Sequence, residues 1–240
     1  MGSDAPYREA AAAIRRSPCT IAVTGSGISA ESGIPTFRDK GGIWEIYPPD
    51  QYATIDAYNA NPKKVWAFWR ELASTVGHCK PNPGHFALAE LEAMGLLEAV
   101  ITQNIDNLHQ DAGNKRVIEY HGNGRYLYCP TCGHRDLLDV HACQEGPPHC
   151  PCGNLMRPDV IMFGDPIPVD AMQQSAELAQ RCQVMIVVGT SAQVYPAAYL
   201  PSMAKQNGAF IIEANIEDTA FTRQVTDVFL KGRAGETLPK

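Results

Sequence analysis

Apolar residues fall along this chain in short continuous runs, separated by longer stretches in which they recur every three or four positions. The continuous runs are Thr20 to Val23, Ala99 to Thr102, Val117 to Tyr120, Val184 to Val188, Phe210 to Glu213 and Val228 to Leu230. Each has the length of a strand, and unbroken rather than alternating apolar character predicts a strand covered on both faces. The periodic stretches predict helices at Pro6 to Arg16, Pro168 to Arg181 and Pro196 to Asn207. A further helix opens at Asn82-Pro83, where Asn suits the N-cap and Pro the first helical position. Phe86, Leu88, Leu91 and Met94 form its apolar stripe and Gly95 ends it. Strands alternating with helices predict a parallel α/β sheet, whose ligands gather at the carboxyl ends of the strands. The polar clusters TGSGIS, TQNID, HG, GTS and ANIE each directly follow one of these runs.

Two stretches break the alternation. Residues 37–82 are rich in Trp and Tyr with helical character around Lys64 to Leu72, and residues 125–160 carry two cysteine pairs. They are read as insertions forming a smaller lobe, part helical module (37–82) and part cysteine module (125–160). The main, Rossmann-like lobe is then built from residues 1–36, 83–124 and 161–240 of a single domain spanning 1–240. A cleft between lobes is a usual place for a substrate. Apolar residues at 45% and charged residues at 19% fit a globular chain and exclude a disordered one. The net charge of -6 argues against nucleic acid as a partner. No apolar run approaches membrane-spanning length and no apolar signal region precedes the first helix, so the expectation is a cytoplasmic protein without a membrane partner.

Of the eight cysteines, Cys19, Cys79, Cys143 and Cys182 are scattered, and in such a compartment the four that fall in pairs read as metal ligands before disulfides. Cys129-x-x-Cys132 followed by Cys150-Pro-Cys152 has zinc-site spacing. Four thiolates around Zn²⁺ leave no open position, which makes the ion structural. The spacing alone leaves open a site in which Cys143, His134, His141 or His149 replaces Cys152. Gly25-Ser26-Gly27-Ile28-Ser29-Ala30 follows a strand and fits G-x-G-x-x-[GA], a turn that brings backbone N–H groups and a helix N-terminus to a pyrophosphate. The acidic residue usual about 20 positions on is missing, so Asn215 and Glu217 are candidates for holding a ribose. His121, at the end of a predicted strand, is suited to proton abstraction near neutral pH. The other six histidines are taken as surface or loop groups, or minor zinc candidates.

GSGISAESGIPTFRDKGGIW, TQNIDNLHQ, YHGN, the two cysteine pairs, FGD, GTSAQVYPA and NIEDT occur in this order. Over about Ile14 to Pro239 the chain resembles the sirtuins, NAD-dependent protein lysine deacylases. It departs from them in Ser26 for a usual Ala, Asp165 for a usual Glu, and C-x-C for C-x-x-C in the second pair. The resemblance implies NAD, consumed as a cosubstrate, and one structural Zn²⁺ held by Cys129, Cys132, Cys150 and Cys152. It implies His121 as general base, with Asn104 beside it, and Gln103, Asn104, Ile105 and Asp106 around the nicotinamide and its ribose. Other NAD contacts implied are Gly25, Ser26, Gly27, Ile28, Glu31, Thr36, Phe37, Arg38 and Trp44 in the first loop and its continuation, Gly189, Thr190 and Ser191, then Asn215, Ile216, Glu217 and Ala234. An acylated lysine peptide would lie as an added strand against Val160, Phe163, Gly164, Val194 and Tyr195.

The implied reaction passes the acyl group to ADP-ribose, releasing nicotinamide and lysine, with no hydride transfer. Mono-ADP-ribosyl transfer in the same cleft is the alternative, and an NAD-sensing zinc-ribbon module is a third reading. Sirtuins that remove acidic acyl groups carry Tyr-x-x-Arg on the helix after Asn-Pro-x-x-x-Trp. Here that stretch is Asn61 to Trp66, and Trp69 and Leu72 take the two positions. Both are expected to present apolar surface to the pocket, which predicts preference for short neutral acyl groups, acetyl first.

Overall fold

The structure, a computed structural model, describes residues 4–37, 41–139 and 145–240. Its strands are β1 (Thr20–Thr24), β2 (Ala99–Thr102), β3 (Val117–Glu119), β4 (Gly122–Tyr128), β5 (Arg135–Leu137), β6 (Arg157–Val160), β7 (Val184–Val188), β8 (Phe210–Asn215) and β9 (Val228–Lys231). Six of them form one sheet in the order β3-β2-β1-β7-β8-β9, and every pairing in it is parallel. The predicted apolar runs are these strands, with ends moved by one or two residues.

Alternation along each strand divides the apolar side chains between two faces. Ile21, Val23, Ile101, Met185, Val187 and Ile211 pack on one side, against Leu178 and Ala179 of the helix Val169–Arg181 and Leu200 and Ala204 of the helix Leu200–Gln206. Ala22, Val100, Ile186, Val188, Ile212 and Leu230 pack on the other, against Ala10 of the helix Ala5–Arg16 and Leu88 of the helix Pro83–Ala93. The chain winds outward from β1 to β3 on one side and from β7 to β9 on the other. The strand order therefore reverses between β1 and β7, which opens a crevice at their carboxyl ends.

Three expectations are corrected. Gly25 leads into a 3₁₀ segment, Ser26–Ser32, and no α-helix N-terminus faces the crevice there. Ile28 is drawn into the core, and Asn82 Nδ2 holds its carbonyl at 2.7 Å, so the turn cannot open into a wider helix. Second, Phe86 and Met94 are exposed, and the buried face of their helix is Gly84, His85 and Leu88. Its N-cap stands as predicted, with Asn82 Oδ1 accepting from Gly84 N at 2.9 Å. Third, the helix expected from Pro196 is a 3₁₀ turn, Ala197–Tyr199, before the α-helix begins at Leu200.

The smaller part of the molecule contains a sheet that the apolar pattern does not reveal, in the antiparallel order β5-β4-β6. It packs on the helix Pro62–Gly77 through Trp66, with Leu127, Cys129, Cys150 and Met156 around that indole. Val65, Phe68, Trp69 and Leu72 of the same helix join Ile43, Tyr58, Val160 and Met162 in a second cluster. Among the described residues no helix is long and apolar enough to cross a membrane.

Candidate active site

The crevice between β1 and β7 is closed by glycine against glycine. Gly27 N donates to Gly189 O at 2.8 Å, and a Cβ on Gly27 would lie 2.7 Å from Gly189 Cα. A Cβ on Gly25 would lie 2.8 Å from Gly189 O. Both contacts are shorter than real side chains make, so these positions require glycine for close backbone approach. Gly25, Gly27 and Ile28 already donate their N–H groups within the protein, to Val188, Gly189 and Gly25. Ile28, expected at the cofactor, has its side chain in the core.

Two cavities meet at this point, and both are lined by Ser26, Thr190 and Ser191. The first, of about 230 Å³, gathers Gly25, Phe37, Trp44, Gln103, Asn104, Ile105, His121, Val160, Phe163, Gly164, Val194 and Tyr195. The second, of about 330 Å³, gathers Gly27, Glu31, Thr36, Gly189, Asn215, Ile216, Glu217 and Ala234. Nearly all the residues predicted from sequence therefore converge, although they come from seven separate segments. Trp44, expected among the NAD contacts, stands in the apolar wall of the first cavity, 5.0 Å from the Phe37 ring and 6.3 Å from that of Phe163. Arg38, Cys143 and His141 lie outside the described residues.

His121 sits where the chain leaves the large sheet for the small one, between β3 and β4. The crossing is tight: Gly122 has φ +77, and a Cβ there would meet Asp159 O at 2.3 Å. The His121 carbonyl accepts from Ile161 N at 2.9 Å, and ring Nδ1 lies 3.1 Å from Gln103 O. A carbonyl only accepts, so Nδ1 carries the hydrogen and Nε2 is the basic nitrogen. Gln103 in turn donates from Nε2 to Thr190 Oγ1 at 3.1 Å.

Asn104 is 7% exposed and donates from Nδ2 to Gly25 O and Ser29 Oγ, each at 3.1 Å. Asp106 lines neither cavity. It lies behind the wall, accepting from Ser29 Oγ at 2.6 Å and Leu108 N at 2.9 Å. Burial raises its pKa, and the Ser29 hydroxyl opposes the rise. Sequence reasoning missed the groups behind Asn104. His85 and His109 are 0% and 1% exposed, where surface or loop positions were expected. His85 reaches Ser29 Oγ from Nε2 at 3.4 Å, and His109 reaches Thr24 Oγ1 from Nε2 at 2.9 Å. Burial pushes the first down to about 4 and the second to about 3. The one sequence signal was that Ser29 and His109 fall within the motifs themselves.

Trp69 lines the first cavity; Leu72, expected beside it, is buried in the helical cluster and does not. No Lys or Arg is among the described residues lining that cavity. Its one carboxylate, Asp165, is paired with Arg157 at 2.8 Å and accepts from Met162 N at 3.0 Å. Phe163 offers its ring only, because its N–H donates to Ala53 O and its carbonyl accepts from Ile55 N.

The four thiols of Cys129, Cys132, Cys150 and Cys152 lie within 4.8 Å of one another. Cys129 and Cys152 Sγ are 3.6 Å apart, and Cys132 and Cys150 Sγ 3.5 Å. A tetrahedron with Zn–S of about 2.3 Å has edges of about 3.8 Å, so the donor set fits zinc. Each pair sits in a turn ended by a left-handed glycine, Gly133 (φ 75) and Gly153 (φ 88). That geometry brings Cys152 into place despite the shorter spacing. His134 and His149 are not in the cluster.

The model of the Sir2 family matches residues 25–196. An NAD-dependent protein deacylase of Pyrococcus abyssi is 47% identical, over 97% of this chain and 95% of that protein. NAD-dependent protein deacylase 2 of Pyrobaculum aerophilum is 49% identical over 92% and 88%. A solved Sir2 homologue in complex with NAD superimposes with a TM-score of 0.91 at 41% identity, covering 96% of this chain and 90% of that one. A Sir2 protein with a deacetylated p53 peptide and 3′-O-acetyl-ADP-ribose superimposes with a TM-score of 0.90 at 36% identity, covering 97% and 95%.

Proposed function

The chain belongs to the Sir2 family, and from that premise we propose that it is an NAD-dependent protein lysine deacylase acting on short neutral acyl groups. The observation that carries the reading is convergence: Gln103, Asn104 and His121 stand in one cavity, at the place where it joins a second cavity behind the paired glycine loops.

The two cavities suit two substrates. NAD fits with its nicotinamide end by Gln103, Asn104 and Ile105 and its remote end against Asn215, Ile216 and Glu217. The hydroxyls of Ser26, Thr190 and Ser191 lie between them, where the phosphates and ribose pass. Bound NAD would supply the ribose carbon C1′, to which the acyl carbonyl oxygen bonds as the bond to nicotinamide breaks; the acyl group then passes to a ribose hydroxyl and water releases the lysine. The acyl-lysine enters past Phe163, Gly164, Val194 and Tyr195. Trp44, Trp69 and Phe37 shield the reacting end from water. His121 takes a ribose hydroxyl proton at Nε2 while its Nδ1 hydrogen stays on the Gln103 carbonyl, which fixes the ring and supports the charge that forms. Asn104, held by Gly25 and Ser29, is oriented before substrate arrives and loses little order on binding. Zn²⁺ held by the four cysteines stabilises the small sheet and takes no part in the chemistry. Unpaired thiols suit a cytoplasmic setting.

Incubation with NAD and an acetyl-lysine peptide, followed by mass analysis, tests the proposal. Deacetylated peptide, nicotinamide and O-acetyl-ADP-ribose are expected in equal amounts. A peptide that gains ADP-ribose and keeps its acetyl group would show transfer chemistry instead.

A further inference from the structure

Residues 215–218, from the last residue of β8 onward, lead to the short helix Ala220–Gln224; three of them, Asn215, Ile216 and Glu217, line the second cavity, as does the N-cap residue Thr219. Asn215 ties one end of this link to the glycine loops, donating from Nδ2 to Thr190 O at 3.1 Å. The other end is held by a carboxylate with no part in the reaction described above. Glu213 lies within β8, between Ile212 and Ala214, and is 1% exposed. Such a group is costly to bury unless its lone pairs are filled. Here three hydroxyls fill them. Thr219 Oγ1 donates to Oε1 at 2.6 Å, and Thr222 Oγ1 and Thr226 Oγ1 each donate to Oε2 at 2.7 Å.

The same hydroxyls shape the turn. Thr219 Oγ1 accepts from Phe221 N at 3.0 Å, and Thr222 Oγ1 accepts from Thr219 N at 2.8 Å. One buried carboxyl group thus gathers three points of the segment that follows the link and anchors them to a strand of the central sheet. An apolar residue at 213 would suit a strand whose neighbours Ile211, Ile212 and Val187 are buried and apolar. It would leave the helix start free to shift, and residues 215–218 with it.

We propose that Glu213 is a positioning residue for the end of NAD remote from the nicotinamide: through Thr219, Thr222 and Thr226 it sets the shape of the 215–218 link and so the affinity for NAD. This rests on the placement of NAD in the second cavity. Glu213 lines neither cavity, so its effect reaches binding and not chemistry.

The test compares Glu213→Ala, Glu213→Gln and Thr226→Val in the full chain. Glu213→Ala should raise KM for NAD about tenfold or more, with kcat and the KM for peptide within about twofold of wild type. Thr226→Val, which removes one hydroxyl at nearly constant volume, should raise KM for NAD about threefold. Glu213→Gln keeps one carbonyl acceptor and should fall between Glu213→Ala and wild type. Calorimetric titration with ADP-ribose, which lacks nicotinamide, should show the same ratios, and inhibition by free nicotinamide should not change. A lower kcat at unchanged KM in these variants reports lost active protein and would overturn the positioning role. So would a Thr226→Val protein indistinguishable from wild type, a readout that holds even if Glu213→Ala fails to fold. Wild-type protein that binds no ADP-ribose would instead overturn the placement of NAD, and the role of Glu213 with it.

Discussion

His121 owes its state to one backbone contact. The Gln103 carbonyl fixes the hydrogen on Nδ1, so Nε2 is the basic ring nitrogen, the one proposed to take the proton. Replacing His121 with Ala should lower deacylation by roughly 10²–10⁴-fold, the usual worth of a general base. ADP-ribose binding should persist, because the glycine loops are untouched. A variant that keeps more than half of wild-type turnover would remove His121 from the mechanism. At the acyl end, Trp69 stands in the wall and no cation faces the cavity among the described residues. A succinyl carboxylate there would be buried without a partner, beside Asp165, at an effective cost of several kcal/mol. That is discrimination of about 10²-fold or more. On one peptide, kcat/KM for acetyl-lysine should therefore exceed that for succinyl-lysine by this factor, and parity would contradict the pocket. The Trp69 assignment was readable from its distance to Asn61-Pro62. That of Leu72 was not, because residues three apart share a helix face but differ in how far each reaches around it toward the cavity.

The two cysteine turns are separated by β5 and by residues 138–149, and the small sheet joins them. Cys152→Ser and Cys129→Ser should each lose zinc and unfold the small sheet together, because structural zinc contributes folding free energy directly. Metal analysis paired with circular dichroism tests this. Full zinc retention by Cys152→Ser would show that another ligand completes the site. The 3₁₀ segment Ser26–Ser32 is, like the turn Ala197–Tyr199, an element whose form the sequence pattern misjudged. Its residues satisfy a dinucleotide fingerprint, yet the packing of Ile28 and the bond from Asn82 hold it tighter than an α-helix. β4 was invisible for a related reason. Gly122-Asn123-Gly124-Arg125 has little strand propensity, and the strand forms by pairing with β6 some thirty residues later.

The whole molecule is most exposed to acid through its buried histidines. His109 shares Thr24 Oγ1 and has the Asn114 side chain beside it, with no carboxylate among the described residues near enough to oppose its burial. Protonation there would bury an unpaired charge. In the unfolded chain both His85 and His109 titrate near 6.5; in the fold burial holds them at about 4 and about 3. Between those values the unfolded state binds more protons, so stability is complete above pH 6.5 and falls as pH drops toward 4 and then 3. Glu98, held down to about 2 by Arg181, adds the same sign only below its ordinary 4.5. Asp106, raised by burial, acts in the opposite sense. At about 1.4 kcal/mol per pH unit and proton, the melting temperature should drop on the order of 10 °C between pH 6.5 and 4.5. A flat profile over that range would contradict it. From sequence alone came the parallel sheet, the cysteine turns and nearly every residue at the cleft. Apolar runs, glycine spacing and ordered motifs are local properties of a chain, and each records what its own few residues require. The groups standing behind that surface, His85, His109, Ser29 and Glu213, and the close contact of Gly25 and Gly27 with Gly189, came only with the folded chain. These are meetings between segments far apart in the chain. Burial, which turns a histidine from a surface base into a neutral core residue, is a property of the assembled fold.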